Sequence, residues 1–371
     1  MSRALITGGC GLIGRHLVDY LLGQDHDVVV VDDLSNSDEV KEWRGNKSVT
    51  FLELDITAPD AAAAMAAMKP FSVVFHLAAH AYEGLSQFCP VLVSNTAVIG
   101  TLNVLRAAIN AGTVKRCVAV SSMARYGSGE LFVPINETVC DGDTAYYIPS
   151  RCGPPFGEQK HRESPEDVYG HGKVMAERCV ETLCDLHGIE WCHAVPHNVT
   201  GPANLKALAD PYRGVMLIAT NRLLRGLPVI IFSDGSQRRA PSDVQDVVPA
   251  LAKMGFADGM HGEVINLGGA AHYSITEIAR SVRKAFVEVT GRDDPGVQYE
   301  PDRPCEVLNA WCSVEKSTRL LGYEDKTSLD DMSRRIVEWA YVVAPNGVEP
   351  RYLDKFEIEA KAPMAWVERR M

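Results

Sequence analysis

A glycine-rich turn near the start of the chain constrains its fold more than any other feature. The run Gly9–Gly14 has the spacing G-x-G-x-x-G, and a second reading of the same turn begins one residue earlier. It follows a short apolar run at Arg3–Thr7 and opens a stretch, residues 12–23, whose apolar positions recur with helical spacing. In such a strand–turn–helix unit the glycines let a pyrophosphate approach the helix N-terminus, where N–H groups and the helix dipole favour negative charge. The turn therefore predicts a dinucleotide site, and its expected contacts are Gly8, Gly11, Leu12, Ile13 and Gly14.

Short β-branched runs alternate with helical patterns through the first half of the chain. Asp27–Asp32 contains four consecutive valines, which is typical of a parallel strand that is covered on both faces. Similar patterns predict strands at residues 49–54, 72–77, 116–121 and 191–195, and helices at residues 59–68, 90–111 and 167–187. Repeated strand–helix–strand units predict an α/β fold: a Rossmann-type, doubly wound parallel sheet with a smaller C-terminal α/β domain that binds substrate.

The domain organisation follows from where this alternation stops and resumes. The dinucleotide-binding domain is predicted to comprise residues 1–198 and about 243–270, and the second domain residues 199–242 and 271–345. Residues 346–371 are a charged C-terminal extension without a motif. Residues 127–165 are rich in proline and glycine, which predicts a long loop over the carboxyl edge of the sheet, where loops usually carry function.

Composition narrows the class of partner. The formal net charge is -11, whereas nucleic acids and anionic membrane surfaces reward clustered Lys and Arg. The chain starts with neither a basic segment nor a long apolar one, and no continuous apolar run approaches the roughly 20 residues of a membrane-spanning helix. We therefore expect a cytoplasmic protein that binds a small molecule, not nucleic acid or a membrane. The 10 cysteines form no C-x-x-C pair, which favours reduced thiols over disulfides and predicts no metal site.

Acidic and small residues at strand ends indicate which dinucleotide would bind. Asp32 ends the second predicted strand, where its carboxylate can accept both ribose hydroxyl hydrogens and would repel a 2'-phosphate. The cofactor is therefore expected to be NAD rather than NADP. Asp55 and Ile56 end the third predicted strand, although Asp55 could instead cap the helix predicted from residue 59. Leu77, Ala78 and Ala79 end the fourth, where small side chains would let the cofactor lie close. The predicted cofactor contacts beyond the glycine turn are Asp32, Asp33, Asp55, Ile56, Leu77, Ala78, Ala79, Tyr169, Lys173 and His197.

A tyrosine and a lysine supply the predicted chemistry. Tyr169 and Lys173 have the spacing that projects two side chains from one face of a helix. A phenol normally titrates near a pH of about 10, so it needs the lysine cation and a positive nicotinamide ring to lower its pKa before it can act as a base. Ser122, just after the fifth predicted strand, would hydrogen-bond the same substrate oxygen. These residues predict hydride transfer at a hydroxyl-bearing carbon.

Together these motifs resemble the extended short-chain dehydrogenase/reductase family of nucleotide-sugar epimerases and dehydratases. The likeness covers about residues 2–340 and extends to the motifs Asn198-x-x-Gly201-Pro202, Asp234-Gly235-x-Gln237-x-Arg239 and Arg303-Pro304-x-Glu306-Val307. It implies that Asn198, Arg239 and Arg303 contact the nucleotide diphosphate, for which the planar fork of arginine is suited. It also implies a homodimer formed through the two long helices. Glu83 and Arg125 lie near the predicted site in sequence and are candidate sugar contacts.

Two departures from the family pattern narrow the chemistry. Dehydratases and decarboxylases of this family place acidic residues just after the catalytic Ser or Thr, where this chain has Met123 and Ala124, and neither can transfer a proton. The 3,5-epimerases of the family place a cysteine at the position of Ala124. The chemistry that Ser122, Tyr169, Lys173 and NAD can perform without further acids predicts an isomerase. We expect an NAD-dependent nucleotide-sugar epimerase that acts at C4 through a transient 4-keto sugar, with Tyr169 as the base.

Three alternatives stay open on the sequence. The chain could be a nucleotide-sugar 4-reductase or dehydrogenase, or a 4,6-dehydratase whose acids come from elsewhere in the chain. It could also be an NAD-binding regulatory protein, although such a protein would have no need of Ser122, Tyr169 and Lys173.

Overall fold

The computed structural model describes residues 2–38, 41–127, 163–304 and 306–371. Most of the loop predicted over residues 127–165 lies outside these described residues. The strands are β1 (Arg3–Thr7), β2 (Asp27–Asp32), β3 (Val49–Glu53), β4 (Val73–His76), β5 (Arg116–Val120), β6 (Glu190–Pro196), β7 (Val199–Thr200), β8 (Val229–Phe232), β9 (Arg238–Arg239), β10 (Ser242–Asp243), β11 (Glu263–Leu267), β12 (Tyr273–Ser274), β13 (Val297–Glu300) and β14 (Asn309–Ala310). The α-helices are α1 (Leu12–Leu22), α2 (Ala61–Ala66), α3 (Pro90–Ser94), α4 (Thr101–Ala111), α5 (Val168–Leu186), α6 (Leu205–Leu208), α7 (Val215–Leu224), α8 (Val244–Phe256), α9 (Ile275–Thr290), α10 (Glu315–Leu321), α11 (Leu329–Val343) and α12 (Met364–Val367).

Seven parallel strands form the main sheet, in the order β11-β6-β5-β4-β1-β2-β3. The direction of the connections reverses at β1, which pairs with β2 on one side and with β4 on the other. Doubly wound sheets bind their ligands outside the carboxyl ends of the strands at such a reversal. The predicted α/β fold is confirmed, and the glycine turn that follows β1 lies at this point.

The four valines of β2 show why the sheet is covered on both faces. All four are fully buried, and they alternate between two cores. Val28 and Val30 pack with residues of α1 and α8, whereas Val29 and Val31 pack with residues of α2, α4 and α5. This alternation is the two-residue period of a strand. Since burying one such side chain contributes about 1.5 kcal/mol or more, the valine run strongly favours a buried place for β2 between β1 and β3.

The apolar stretch predicted as one helix over residues 90–111 is divided into three parts. A π-helical segment, Asn95–Gly100, separates α3 from α4. By length and mean hydropathy the whole run Pro90–Ala111 could cross a membrane, although half of its most apolar part is buried inside the fold and α4 packs against α2 and α5. The expectation from the sequence concerned continuous apolar runs, and Ser94, Asn95 and Thr96 interrupt this one; its mean hydropathy is high because apolar residues flank them on both sides.

A second hydrophobic core lies in the part of the chain after residue 199. It combines α7, α9 and α11 with β8, which pairs in parallel with β13. The start of α9 is fixed by a capping box, in which the side chains of Ser274 and Glu277 each accept the backbone N–H of the other residue. The domain boundaries given above stay a prediction.

Residues 346–371, which we call the C-terminal segment, pack onto the rest of the protein. The segment contains one short helix, α12, and buries Phe356 and Trp366. The sequence predicts only a charged extension here, and the structure adds its buried aromatic residues.

Candidate active site

A cavity of about 500 Å³ opens at the carboxyl edge of the main sheet. Every residue that the sequence analysis proposed as a cofactor, catalytic or substrate contact lines this cavity, except Arg125 and His197. The wall formed by Gly8–Gly14 and Asp32 is here called the cofactor end. The wall that includes Glu83 and Arg303 is called the substrate end.

At the cofactor end the glycine turn leaves no room for side chains. Gly8 has a φ of 69°, in the left-handed region, and a Cβ there would lie 2.7 Å from the backbone nitrogen of Ala78. A Cβ on Gly14 would lie 2.2 Å from the carbonyl oxygen of Gly8. Leu12 and Ile13 begin α1, so their N–H groups belong to the first turn, which lacks acceptors within the helix. Bare backbone and unpaired helical N–H groups at one place fit a dinucleotide pyrophosphate.

Asp32 ties the second strand to the glycine turn. One carboxylate oxygen accepts the N–H of Cys10 at 3.0 Å, and the other accepts the N–H of Leu34 at 2.9 Å and the hydroxyl of Ser37 at 2.7 Å. A carboxylate offers about four acceptor positions, so these bonds leave capacity for a ribose hydroxyl. Its negative charge opposes a 2'-phosphate, in keeping with NAD. The bracing of the turn by Asp32 is a role that the sequence analysis did not predict.

The other two acidic candidates at this end close local turns. Asp55 accepts both the N–H and the hydroxyl of Thr57 at 2.7 Å, and Asp33 accepts the N–H and the hydroxyl of Ser35 at 2.9 and 2.7 Å. The alternative in which Asp55 caps a helix is not what the structure shows, because α2 begins later and its N-cap residue is Asp60.

The candidate catalytic residues meet where the N-terminus of α5 passes the end of β5. Asp167 caps α5 by accepting a backbone N–H of the first turn at 2.8 Å, and Tyr169 lies in that turn. Lys173 donates to the carbonyl oxygen of Val120 at 2.7 Å, and its Nζ lies 5.8 Å from the centre of the Tyr169 ring. Tyr169 also shares a side-chain hydrogen bond with Ser122. The structure therefore brings Ser122 together with Tyr169 and Lys173, from which it lies far away along the chain.

Burial dominates the electrostatics of this group. Burial raises the pKa of Tyr169 well above its usual range; the hydrogen bond with Ser122 opposes this rise, and the nearby Glu83 carboxylate adds to it. Burial also lowers the pKa of Lys173 to about 8, against the opposing charge of Glu177. The protein's own groups therefore leave the phenol with a raised pKa, because desolvation outweighs the hydrogen bond with Ser122 and the positive charge of Arg213. A positive nicotinamide ring would have to supply the remaining stabilisation of the phenolate.

The substrate end contains three arginines held by acidic partners. Glu306 accepts a hydrogen bond from Arg239 at 2.8 Å and also pairs with Arg303. Arg213, which the sequence analysis did not select, pairs with Asp210 at 3.2 Å and lines the same cavity. A guanidinium has five N–H donors, so an arginine oriented by one carboxylate can still bind a diphosphate.

Glu83 places an acid close to Tyr169. Its side chain is accessible from the cavity although protein groups surround it, and burial raises its pKa, with the positive charge of Arg239 opposing the rise. The Glu83 charge also acts on Asp167, whose pKa burial raises to about 7. The structure thus brings Glu83 to the predicted place and makes it a protonatable group beside the catalytic residues.

Arg125, predicted to contact the sugar, does not line the cavity. Its buried guanidinium pairs with Glu163 at 2.7 Å and with Glu177 at 3.1 Å. A buried carboxylate without its partner is costly, so these two acids hold the arginine away from the substrate end. Arg125 is therefore held by two acids beside the cavity, and its predicted contact with the sugar stays a prediction.

The ion pairs of Arg125 belong to a set of contacts that keeps α5 in register with β5. Successive residues at the end of β5 each bond a different turn of α5: Val120 bonds Lys173, Ser121 bonds Glu177, and Ser122 bonds Tyr169. Arg125 braces the middle bond through Glu177. We call Ser121, Arg125 and Glu177 the α5 clamp.

Ligand atoms of Glu177, Glu181 and His193 lie within 4.8 Å of one another, a spacing that could suit a metal ion. Both carboxylates already have cationic partners, since Arg125 pairs with Glu177 and Arg178 pairs with Glu181 at 2.6 Å. A third cation at the same oxygens would compete with these pairs. We therefore treat the cluster as part of the ion-pair network around the α5 clamp.

His197 is the second candidate that does not line the cavity. Its N–H donates to the carbonyl oxygen of Leu267 at 2.9 Å, and its own carbonyl oxygen accepts the hydroxyl of Ser242 at 2.7 Å. Burial lowers the pKa of its imidazole to about 3, so the ring is neutral. Both backbone groups of His197 are hydrogen-bonded within the fold, and its predicted contact with the cofactor stays a prediction. Its neighbour Asn198 lines the cavity as predicted.

Comparisons with known proteins agree with this geometry. The model of the NAD-dependent epimerase/dehydratase family matches residues 4–268. A UDP-glucose 4-epimerase of Mycolicibacterium smegmatis is 29% identical over 341 residues, which span 91% of this chain and 98% of the relative. UDP-glucuronic acid decarboxylase 6 of Arabidopsis thaliana is 27% identical over 330 residues, which span 88% of this chain and 85% of the relative. The crystal structure of a UDP-glucose 4-epimerase of Thermotoga maritima with UDP-glucose has a TM-score of 0.74 at 29% identity and covers 92% of this chain and 99% of that one.

Fold and site together define an extended short-chain dehydrogenase/reductase enzyme, with a glycine turn and a Ser–Tyr–Lys set in one cavity. The chain belongs to the NAD-dependent epimerase/dehydratase family, and its cofactor is NAD. Its relatives share a nucleotide-sugar substrate class but differ in reaction. The family therefore establishes the class of enzyme, and the reaction has to be argued from the residues of the site.

Proposed function

We propose that the protein is an NAD-dependent nucleotide-sugar 4-epimerase. The observation that carries the proposal is the pairing of a complete Ser122, Tyr169 and Lys173 set with Met123 and Ala124 at the two positions after the serine. Both of these side chains are buried and neither can give or take a proton. Elimination of water from a sugar needs an additional acid and base, whereas inversion at C4 needs one proton and one hydride to leave and return.

The chain residues divide the reaction between them. Tyr169 accepts the proton of the C4 hydroxyl, and Ser122 hydrogen-bonds the same oxygen. NAD, which the glycine turn and Asp32 would hold, would serve as acceptor and then donor of the C4 hydride. Between the two transfers the 4-keto sugar rotates in the site and presents the opposite face of C4. The hydride then returns to that face, and Tyr169 gives the proton back to the C4 oxygen. The C–H and O–H bonds broken in the first half are remade in the second, and no net oxidation results.

The neighbouring cations support these steps. Lys173, fixed by Val120, holds its charge beside the Tyr169 ring, where it favours the phenolate. Arg239 and Arg303 line the substrate end and can hold the diphosphate while the sugar turns over. Because the relatives named above act on UDP-sugars, we propose UDP as the nucleotide.

A second candidate, 4,6-dehydration, is favoured by one specific observation. Glu83 lines the cavity near Tyr169 and has a raised pKa, so it could donate a proton that Met123 and Ala124 cannot. Dehydration also needs a base that removes the proton from C5. Among the described residues, the two positions after Ser122 hold Met123 and Ala124, so neither supplies a carboxylate for this step. We therefore rank it after epimerisation.

Product analysis separates these reactions. The purified protein with NAD is incubated with UDP-glucose, UDP-glucuronate and UDP-N-acetylglucosamine, and the products are identified by NMR. The proposal expects a sugar inverted at C4 from at least one of them, without accumulation of NADH. A 4-keto-6-deoxy sugar would instead show dehydration, a pentose would show decarboxylation, and NADH in proportion to product would show net oxidation.

We also propose that the protein is a cytoplasmic homodimer. Four large apolar side chains are exposed on the two long helical stretches through which the resemblance implies dimerisation, namely Val91, Ile99, Met175 and Leu186. Pairing of two copies would remove them from water. Light scattering after size-exclusion chromatography should give twice the 40.5 kDa mass of the chain, and a monomer at all concentrations would contradict the dimer.

A further inference from the structure

The C-terminal segment is tied to both halves of the protein. On the side of the main sheet, the Glu357 carboxylate accepts the N–H groups of Val91 and Leu92 at 2.7 and 2.9 Å, in the first turn of α3. On the side of the second core, Arg351 donates its backbone N–H to Ala209 at 2.8 Å. The segment therefore bridges the two walls between which the cavity opens.

The last residues of the chain are fixed as well. Arg370 pairs with Glu300 of β13, and its carbonyl oxygen accepts a hydrogen bond from Arg222. The carbonyl oxygen of Met371 accepts the hydroxyl of Tyr352 at 3.0 Å. These bonds hold α12, which lies just before them, against the fold.

Trp366 of α12 is the largest side chain that this arrangement brings to the cavity. Its indole is 2% exposed and packs edge-on against Tyr212, with ring centres 5.4 Å apart, and against Phe88 at 6.1 Å. A Cβ on Gly84 would lie 3.4 Å from the Trp366 ring, so the indole lies directly behind the residue that follows Glu83. Pro363, Trp366 and Met371 line the cavity, and Trp366 shares a buried cluster with Tyr169.

We propose that the C-terminal segment forms a wall of the sugar pocket and that Trp366 is a specificity-determining residue, which limits the size of the substituents that the sugar can carry. A large rigid ring held by aromatic neighbours cannot move aside for a bulky group, because displacing it would break the packing of Tyr212 and Phe88. This inference rests on the proposed substrate class of nucleotide sugars. It does not depend on which reaction follows binding.

The test measures binding rather than turnover. In a Tyr169→Phe background with NAD bound, titration calorimetry gives the Kd of UDP-glucose and of UDP-N-acetylglucosamine, which differ by one acetamido group. Trp366→Ala should shift the ratio of the two Kd values toward the larger sugar by about tenfold, the scale of discrimination that one or two methylene-sized groups produce in a pocket. Trp366→Phe should shift it less in the same direction.

A matched control is Trp311→Ala, since Trp311 stacks on His272 outside the cavity wall. That change should leave the ratio within about twofold. The proposal that Trp366 limits the sugar pocket would be contradicted by an unchanged ratio of the two Kd values in Trp366→Phe. The same holds for Trp366→Ala if that variant folds and retains NAD. If neither sugar nucleotide binds even the parent protein, the proposed substrate class fails instead, so the two failures are distinguishable.

Discussion

The cofactor end and the substrate end of the cavity are built in different ways. The cofactor end comes from one strand, one turn and one helix in sequence, braced by Asp32 from the next strand. The substrate end combines Glu83, Arg213, Arg303 and the C-terminal segment, which lie far apart along the chain. A local motif therefore determines the cofactor, while tertiary packing determines which other side chains share the cavity with it. Substitutions at the two ends should therefore separate NAD binding from substrate chemistry.

The largest expected effect comes from the residue at which the two ends meet. Tyr169→Phe should reduce turnover by about 10³-fold, because general acid–base catalysis is lost, while NAD binding stays intact. Tyr299→Phe is a matched control, since Tyr299 is 57% exposed and does not line the cavity. Turnover in Tyr169→Phe close to that of the parent protein would remove the tyrosine from the reaction.

A second prediction tests the cofactor end alone. Gly14→Ala should weaken NAD binding at least about tenfold and destabilise the fold by roughly 1–3 kcal/mol, because the new methyl group meets a backbone oxygen. Gly23→Ala, at the other end of α1, is the matched control: its φ is -65° and the nearest atom to a Cβ lies 3.4 Å away. NAD titration by fluorescence measures both, and equal affinities would show that the close approach at Gly14 does not matter.

The third prediction concerns the α5 clamp. Glu177→Gln should lower kcat by about tenfold with little change in KM, because the register of Ser122 and Tyr169 relaxes. The charge of Glu177 opposes the lowering of the Lys173 pKa, so its removal should lower that pKa below about 8. The fall of kcat at alkaline pH should then begin at lower pH. Glu181→Gln, one turn further along α5, should leave the pH profile unshifted; a Glu177→Gln profile of the original shape would indicate a purely structural role.

The smallest effect is on stability. Burial raises the pKa of Asp167 from 3.8 to about 7, so between these values the folded protein holds a proton that the unfolded chain has released. The stability contributed by this proton is fully present below about pH 4 and is lost as the pH rises to 7. Asp167→Asn keeps an N-cap side chain without the titration. The variant should gain stability relative to the parent between pH 4 and 7 in urea unfolding, and a constant difference over that range would contradict the assignment.

The contrast between the two ends also explains how much could be predicted from the sequence. Strand β2 and the glycine turn are local patterns, and the structure bears out the fold that they predict. At two other positions, nearness in sequence to a site residue did not bring a residue to the cavity wall. Arg125 lies three residues from Ser122, but its side chain pairs with buried acids. His197 adjoins Asn198, but its backbone groups are hydrogen-bonded to neighbouring strands.

Two parts of the site had weak sequence signals. Arg213 lies just before the first residue of α7. A single arginine at that place does not indicate a site in the sequence, because its role depends on the ion pair with Asp210 that only the fold shows. In the C-terminal segment, Phe356 and Trp366 are separated by charged residues with no helical or strand period, so their common burial emerges only when the fold places them on Phe88. Both were missed because their meaning depends on contacts distant in sequence.

The central claim is that one hydride leaves C4 of the sugar and returns to the same carbon from the other face. It is tested most directly with a UDP-sugar that the protein converts, labelled with deuterium at C4. The account predicts a product with inverted C4 that retains the deuterium there, as read by NMR. A product that has lost the label from C4, or that keeps the original configuration, would contradict it.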